Sequence, residues 1–344
     1  MTDQPNTAQT ATIPPLALTM GEPAGVGGET ALMAWKRRES GVPCFFAIDE
    51  AQRLRKLSET TGLDVPIATI SSPEEATEQF EYALPVLEQS LGAAVVRGSP
   101  DPANASSVCR SIERAVGLVT EGKAAAVVTN PIQKACLYDA GFAYPGHTEY
   151  LAALAGIDTP PIMMLLCPRL RVVPVTIHVS LGEALRTLSA EAIEIAAEIT
   201  AHALENDFAI NNPRLAIAGL NPHAGEDGSM GREEIDMIAP AVERLGAKGI
   251  NAFGPLPPDT MFTPRARTTY DAAICMYHDQ ALIPIKALDF DGGVNVTLGL
   301  PFVRTSPDHG TALDIAGHGL ANPGSLIAAL KTAYAMARRR SAAR

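Results

Sequence analysis

Short apolar runs alternate along this chain with longer stretches in which apolar positions recur every third or fourth residue, the pattern of strands followed by helices. LALTMG (16–21) reads as a buried strand that runs through EPAGVGGE into a helical ETALMAWKRR, and CFFAI (44–48) is a second strand followed by an amphipathic helix, DEAQRLRKLSETTG. Residues 70–102 have no clear period. From there SSVCRSIERAVGLVTEGK sets Val108, Ile112, Val116 and Val119 on one helical face, with Gly122 ending it. AAAVV, RVVPVTIHVS, RLAIAGL, YDAAICMYH and VNVTLGLPFV read as further strands. The helices among them are LGEALRTLSAEAIEIAAEITAHALEND, which includes His202 as an ordinary helix residue, EEIDMIAPAVERLGAKG, which Pro240 should kink, and NPGSLIAALKTAYAMARRR, whose basic end should be solvated. This alternation predicts an α/β fold with a mostly parallel sheet covered on both sides.

In such sheets ligands sit beyond the carboxyl ends of the strands, so polar residues at those ends carry more weight than others. Thr129, Asn130 and Lys134 follow AAAVV, and Gly146, His147, Thr148 and Glu149 come soon after. His178, His223 and His278 each follow a separate apolar strand. Three neutral imidazoles converging in a cleft would suit zinc or a similar divalent ion, although any single histidine can equally be a satisfied structural residue. Glu226, Asp259 and Asp279 are placed to orient such rings. His147, Thr148, Lys286, Asn295 and Arg304 form an anion-directed set, since Lys and Arg among apolar strand residues either pair on the surface or face a phosphate or carboxylate. The glycines of EPAGVGGE could serve an anion at a helix start or a plain tight turn, and they miss the dinucleotide fingerprint because Thr30 stands where its third glycine belongs.

Composition narrows the partners. A formal net charge of −11 without a basic stripe argues against nucleic acid or an anionic membrane, and a small anion needs only a local positive pocket. The 344 residues suffice for one large or two ordinary domains. Five widely spaced cysteines without a CxxC pair read as reduced thiols of a cytoplasmic protein, and the N-terminus resembles neither a signal nor a transit peptide. Residues 1–13 are expected to be a disordered tail, and no apolar run approaches the length of a membrane span.

The blocks MGEPAGVGGE, TNPIQK, YPGHTEYLA, GLNPHAGEDGSMGREE, GPLPPDTMF, MYHDQALIPIKALDF and VNVTLGLPFVRTSPDHGTALDIAG resemble the 4-hydroxythreonine-4-phosphate dehydrogenase family of pyridoxal phosphate biosynthesis. The resemblance implies NAD or NADP as cofactor and one divalent metal per site, Zn, Mg or Co, on His178, His223 and His278. It implies substrate contacts from His147, Thr148, Lys286, Asn295 and Arg304. It also implies two α/β/α domains with a cleft between them, as in isocitrate and isopropylmalate dehydrogenases, which bind the nicotinamide cofactor without the Rossmann fingerprint. The expected division is 14–140 plus 305–344 for the first domain and 141–304 for the second, which carries metal and dimer contacts. The expected assembly is a homodimer with shared sites, in which His178 and His223 of one subunit meet His278 of the other. The alternatives are a paralogous metal-dependent dehydrogenase acting on another phosphorylated hydroxy acid or a cis-dihydrodiol, a metal-dependent hydrolase, and a non-catalytic metal or ligand binder.

Overall fold

The computed structural model describes residues 13–342, so the expected tail lies outside the described residues except for Ile13, which packs on the core. Twelve strands form one sheet: β1 Leu16–Thr19, β2 Phe45–Asp49, β3 Ile67–Ile70, β4 Leu84–Glu88, β5 Val127–Val128, β6 Ile162–Cys167, β7 Leu170–Thr176, β8 Leu215–Ala218, β9 Ala252–Leu256, β10 Ala272–Tyr277, β11 Val294–Leu298 and β12 Arg304–Pro307. Their order is β3-β4-β2-β1-β5-β12-β11-β6-β7-β10-β8-β9. Both flanks are parallel, as expected. The centre is not: β12 pairs antiparallel with β11, β11 with β6, and β6 with β7.

Local chemistry explains the departures. VNVTLGLPFV is not one strand, because Gly299 takes φ +86 and turns the chain from β11 toward β12. β3, β4, β6 and β9 were not read as strands, and β4 and β9 carry a proline within a short run. The helical stretch from residue 181 divides into Leu181–Thr187 and Ala190–Asn206, because Ser189 caps the second piece by accepting from Ala192 N–H. Pro240 stands near the start of Ala239–Ala247, where its missing N–H costs little, and a π-helical turn, Glu234–Ile238, precedes it. The basic end of Gly324–Ala342 is not all solvated: Arg340 pairs with the buried Asp207, Nε to Oδ1 at 2.6 Å.

Strand alternation sends side chains to two faces with different covers. On the back, Leu16, Leu18, Phe45, Val173, Leu215, Ile274, Val294 and Val296 join a core that includes residues of the helices Gly27–Lys36, Ala190–Asn206 and Gly324–Ala342. That core runs under both halves of the sheet. On the front there are two separate cores. Ala17, Phe46, Ile48 and Val127 pack with the helix Ala105–Thr120, whereas Leu165, Val172, Ala216 and Cys275 pack with residues of His278–Leu288. Between these two covers lie β12 and β11. Asn295 is the cross-strand partner of Ser306 and Thr297 that of Arg304, so the front of the sheet carries a polar stripe between the two covers.

Candidate functional site

Arg304 opens β12 and is 3% exposed. It donates to Thr297 Oγ1 at 2.8 Å and to Thr129 Oγ1 at 2.6 Å, while its buried Nε has no partner. Among the described residues no carboxylate ion-pairs with it. Burial pushes its guanidinium down to about 10. A buried cation without a counter-ion is costly unless a ligand neutralises it. Asn295 adds a buried Oδ1 with no partner.

Facing this stripe is the start of the helix His147–Ala155, preceded by Gly146. His147 heads it with a buried, unpartnered Nε2, and Thr148 follows in the first turn. Burial holds the His147 imidazole well below the ordinary histidine range, with Arg304 and Lys134 adding to the effect. At ordinary pH the ring is therefore neutral and free to hydrogen-bond. A helix start beside a buried guanidinium suits an oxyanion. Lys286 is less free than its position in the sequence suggests. Its Nζ lies 2.6 Å from Asp308 Oδ2 and donates to the Asp308 carbonyl at 2.8 Å.

The strands β7 and β10 are neighbours, and they bring His178 and His278 together, with ring centres 5.8 Å apart. Two imidazoles on one tetrahedral zinc would place their centres roughly 5–6 Å apart, so the pair fits a shared ion. His278 Nδ1 bonds Asp279 Oδ1 at 2.8 Å, which leaves Nε2 for another partner. Burial pushes the His178 ring below the ordinary range, and Lys134 and His278 press it the same way. His223 is exposed on the segment after β8. Among the described residues no three His, Cys, Asp or Glu side chains converge to hold a metal, so one chain supplies a pair and not the set. The expected division put His278 on the opposite subunit from His178; within one chain the two rings already lie side by side. Glu226 and Asp259 are exposed and hydrogen-bond to no histidine ring among the described residues.

His178 and His223 sit on unusual backbone, whereas His278 opens the helix His278–Leu288. His178 has φ +55, and His223, Ala224, Gly225, Glu226 and Asp227 all have positive φ, a left-handed turn. Each non-glycine residue held this way costs of order 1–3 kcal/mol, and such strain gathers at functional sites. Glu234 keeps the turn in place. Its carboxylate accepts from the backbone N–H of Leu220 and Asn221 and from the Asn221 amide. Burial works against ionisation, but these donors hold Glu234 below the usual carboxylate range. Gly225 and Gly231 leave no room for a Cβ, which would fall 2.6 Å from Glu234 Oε2 and 2.4 Å from Asn221 Nδ2 respectively.

The glycine turn at 21–28 is a packing device and does not fit a cofactor phosphate. All its residues are buried. A Cβ on Gly25 would meet the Thr311 carbonyl at 2.8 Å, and one on Gly21 would meet Asn130 Cβ at 2.6 Å. The buried Glu29 in the first helical turn accepts from Gly317 N–H at 2.8 Å, tying this turn to the 310–321 loop. Neither Glu29 nor Glu234 stood out in the sequence, though each lies in a quoted motif. Thr297 was there to be found through its alternation with Asn295.

The architecture is that of a three-layer α/β/α protein with a histidine pair and a buried, unpaired guanidinium on its central strands. A family model described as pyridoxal phosphate biosynthetic protein PdxA matches residues 42–333. The chain is 54% identical to the 4-hydroxythreonine-4-phosphate dehydrogenase of Bradyrhizobium diazoefficiens, over 94% of this chain and 97% of that protein. Against its counterpart in Caulobacter vibrioides it is 52% identical, over 95% and 98%. Its fold is similar to the crystal structure of the Klebsiella pneumoniae enzyme of that name, with TM-score 0.83, 38% identity and coverage of 94% and 99%. A terephthalate 1,2-cis-dihydrodiol dehydrogenase from Burkholderia xenovorans is more distant, with TM-score 0.62, 26% identity and coverage of 94% and 98%. The chain belongs to the PdxA family, the 4-hydroxythreonine-4-phosphate dehydrogenases of pyridoxal phosphate biosynthesis. No helix among the described residues is long and apolar enough to cross a membrane.

Proposed function

We propose that the protein oxidises the C3 hydroxyl of 4-phosphohydroxy-threonine, passing hydride to NAD or NADP, and that the β-keto acid then loses CO2 to leave 3-amino-2-oxopropyl phosphate. The observation that carries this reading is the buried, unneutralised Arg304 beside the helix start at His147, a few strands from the His178–His278 pair. Arg304, His147, Thr148 and Asn295 grip the phosphate and so fix C3, which converts affinity into orientation. Lys286 releases part of its hold on Asp308 to reach the same anion. His178, His223 and His278 would hold a divalent ion, Zn, Mg or Co, whose chemistry is Lewis acidity toward the hydroxyl and later the carbonyl oxygen. Asp279 fixes the His278 tautomer through Nδ1, so Nε2 is the nitrogen offered to the ion. The turn at 21–28 is filled by protein and is not where the cofactor's phosphates sit.

Residues 14–140 with 305–344 form one lobe and 141–304 the other in this reading, in keeping with the strand order, while Tyr150, Leu151, Leu300 and Phe302 cross over to pack in the first lobe's front core. The active unit is a homodimer. Val179, Leu181 and Leu185 are exposed next to His178, and Met230 and Ile235 are exposed near His223, so apolar surface accompanies both parts of the incomplete metal set. His178 and His278 of one subunit would take His223 from the other.

A second reading, oxidation of a cis-dihydrodiol, is favoured by the likeness to the Burkholderia xenovorans protein. Nicotinamide reduction assayed on 4-phosphohydroxy-threonine, its dephosphorylated form and a cis-dihydrodiol, each with NAD and with NADP, separates the two. Turnover confined to the phosphorylated hydroxy acid is expected. A preference for the dihydrodiol, or indifference to the phosphate, would overturn the assignment.

A further inference from the structure

Lys134 heads the short helix Lys134–Asp139, beyond the end of β5. Its ammonium does not lie on the surface with a carboxylate: among the described residues none ion-pairs with it. It points instead at the start of the helix His147–Ala155. A Cβ built on Gly146 would fall 3.3 Å from Lys134 Nζ and 3.4 Å from its Cε, so the absence of a side chain at 146 makes room for the lysine. Glu149 Oε2 lies 3.4 Å from the same point, yet makes no ion pair with Lys134. Its charge also bears on the pocket, where it joins burial and Arg304 in depressing the His147 imidazole.

We propose that Lys134 is a substrate-binding residue, the second free cation of the phosphate pocket, completing with Arg304 and the helix start at Gly146–Thr148 a cradle that receives the dianionic phosphate. This rests on the phosphate reading given above. The charge arithmetic supports it. A phosphate monoester carries nearly two negative charges near neutral pH. Lys286 reaches the anion together with the carboxylate of Asp308, so that pair adds no net charge and Arg304 alone would leave the dianion half neutralised. Lys134 supplies the missing charge. It does so from outside the sheet, where a flexible ammonium can follow the ligand, whereas the planar guanidinium is fixed by two threonine hydroxyls.

Titration calorimetry of inorganic phosphate into the full-length wild type, Lys134→Gln and Lys134→Arg tests the assignment, with circular dichroism and melting curves for each. Wild type should bind, Lys134→Gln should bind at least about 10-fold more weakly with an unchanged melt, and Lys134→Arg should recover most of the loss. In turnover, KM for the phosphorylated substrate should rise in step while kcat falls much less. If wild type binds phosphate and Lys134→Gln binds it equally well, the lysine is not part of the cradle although the pocket stands. If wild type binds none, the phosphate reading itself fails and this inference goes with it. A weakened Lys134→Gln that also melts earlier and is not rescued by arginine would give Lys134 a packing role instead.

Discussion

The proposed oxyanion residues and the proposed histidine ligands belong to the same sheet but are built on opposite principles. Arg304 and Thr297 are buried on central strands, with the buried Thr129 just past β5 and the half-buried Asn295 beside them, so these groups are brought together by sheet register within one chain. His178 and His223 stand on strained turns past the strand ends with exposed apolar neighbours, His278 opens a helix, and among the described residues one chain brings only His178 and His278 together. A group held by sheet register needs no partner. A group held on an exposed left-handed turn gains from a second copy that packs against it, so the proposed dimer contact and the proposed metal site are one feature and not two.

The largest effect expected from this contrast is all-or-none complementation. With His178 and His278 from one subunit and His223 from the other, His223→Ala and His278→Ala are each inactive alone, but refolding them together gives mixed dimers with one intact site, and activity returns to roughly a quarter of wild type under random pairing. His178→Ala mixed with His278→Ala returns nothing, because every site keeps a lesion. The opposite pattern, rescue by the second mixture, would place His278 across the interface from His178. No rescue in either mixture, despite proven subunit exchange, would confine the metal site to one chain.

Next in size is metal dependence. Chelation should abolish turnover, with Zn, Mg or Co restoring it, and His223→Ala should lose bound metal along with rate although it lies apart from the pair in its own chain. Full metal occupancy in purified His223→Ala would remove it from the ligand set. Arg304→Met provides the counterpart in the other region. It should raise KM for the phosphorylated substrate about 10-fold or more, since a charged hydrogen bond is worth about 1.5–3 kcal/mol. Yet its melting temperature in phosphate-free buffer should hold or rise, because a buried charge without a counter-ion has been replaced by an apolar chain of similar length. A large fall in stability with an unchanged KM would make Arg304 a structural residue.

The same contrast governs what was legible in the sequence. The stripe could be read because period-two alternation is a local signal: Val294, Val296 and Leu298 go to the back core, so Asn295 and Thr297 must face the front. The strand-end histidines were also visible. Their grouping was not, because it depends on β7 lying beside β10 and on a left-handed turn that Glu234 holds from the following helical turn. The antiparallel centre was hidden for a related reason. Strand direction is set by which partners a strand finds, and β6, β11 and β12 carry no residue that encodes it. Lys286 and Arg340 looked free only because their acids, Asp308 and Asp207, are distant in sequence.

The smallest effect concerns the buried imidazole of the pocket. His147 is held well below its ordinary range by burial first and by Arg304 and Lys134 next, so the unfolded chain takes up a proton in mild acid that the folded chain refuses. Where the unfolded state binds more protons, stability rises with pH. The folded state therefore loses stability as pH falls below about 6.5, the unfolded histidine value, at up to about 1.4 kcal/mol per pH unit from this one group. Above that value the contribution is nil, since both states are neutral there. Urea unfolding of wild type and His147→Gln at pH 7.5 and about 5.5 should give a smaller acid-induced loss for the variant, because glutamine has nothing to titrate. Phosphate should narrow the difference further in wild type by letting the ring accept its proton beside an anion. Equal acid losses in the two proteins would mean that the ring is protonated in the folded state, and the pocket would then carry one more positive charge than argued above.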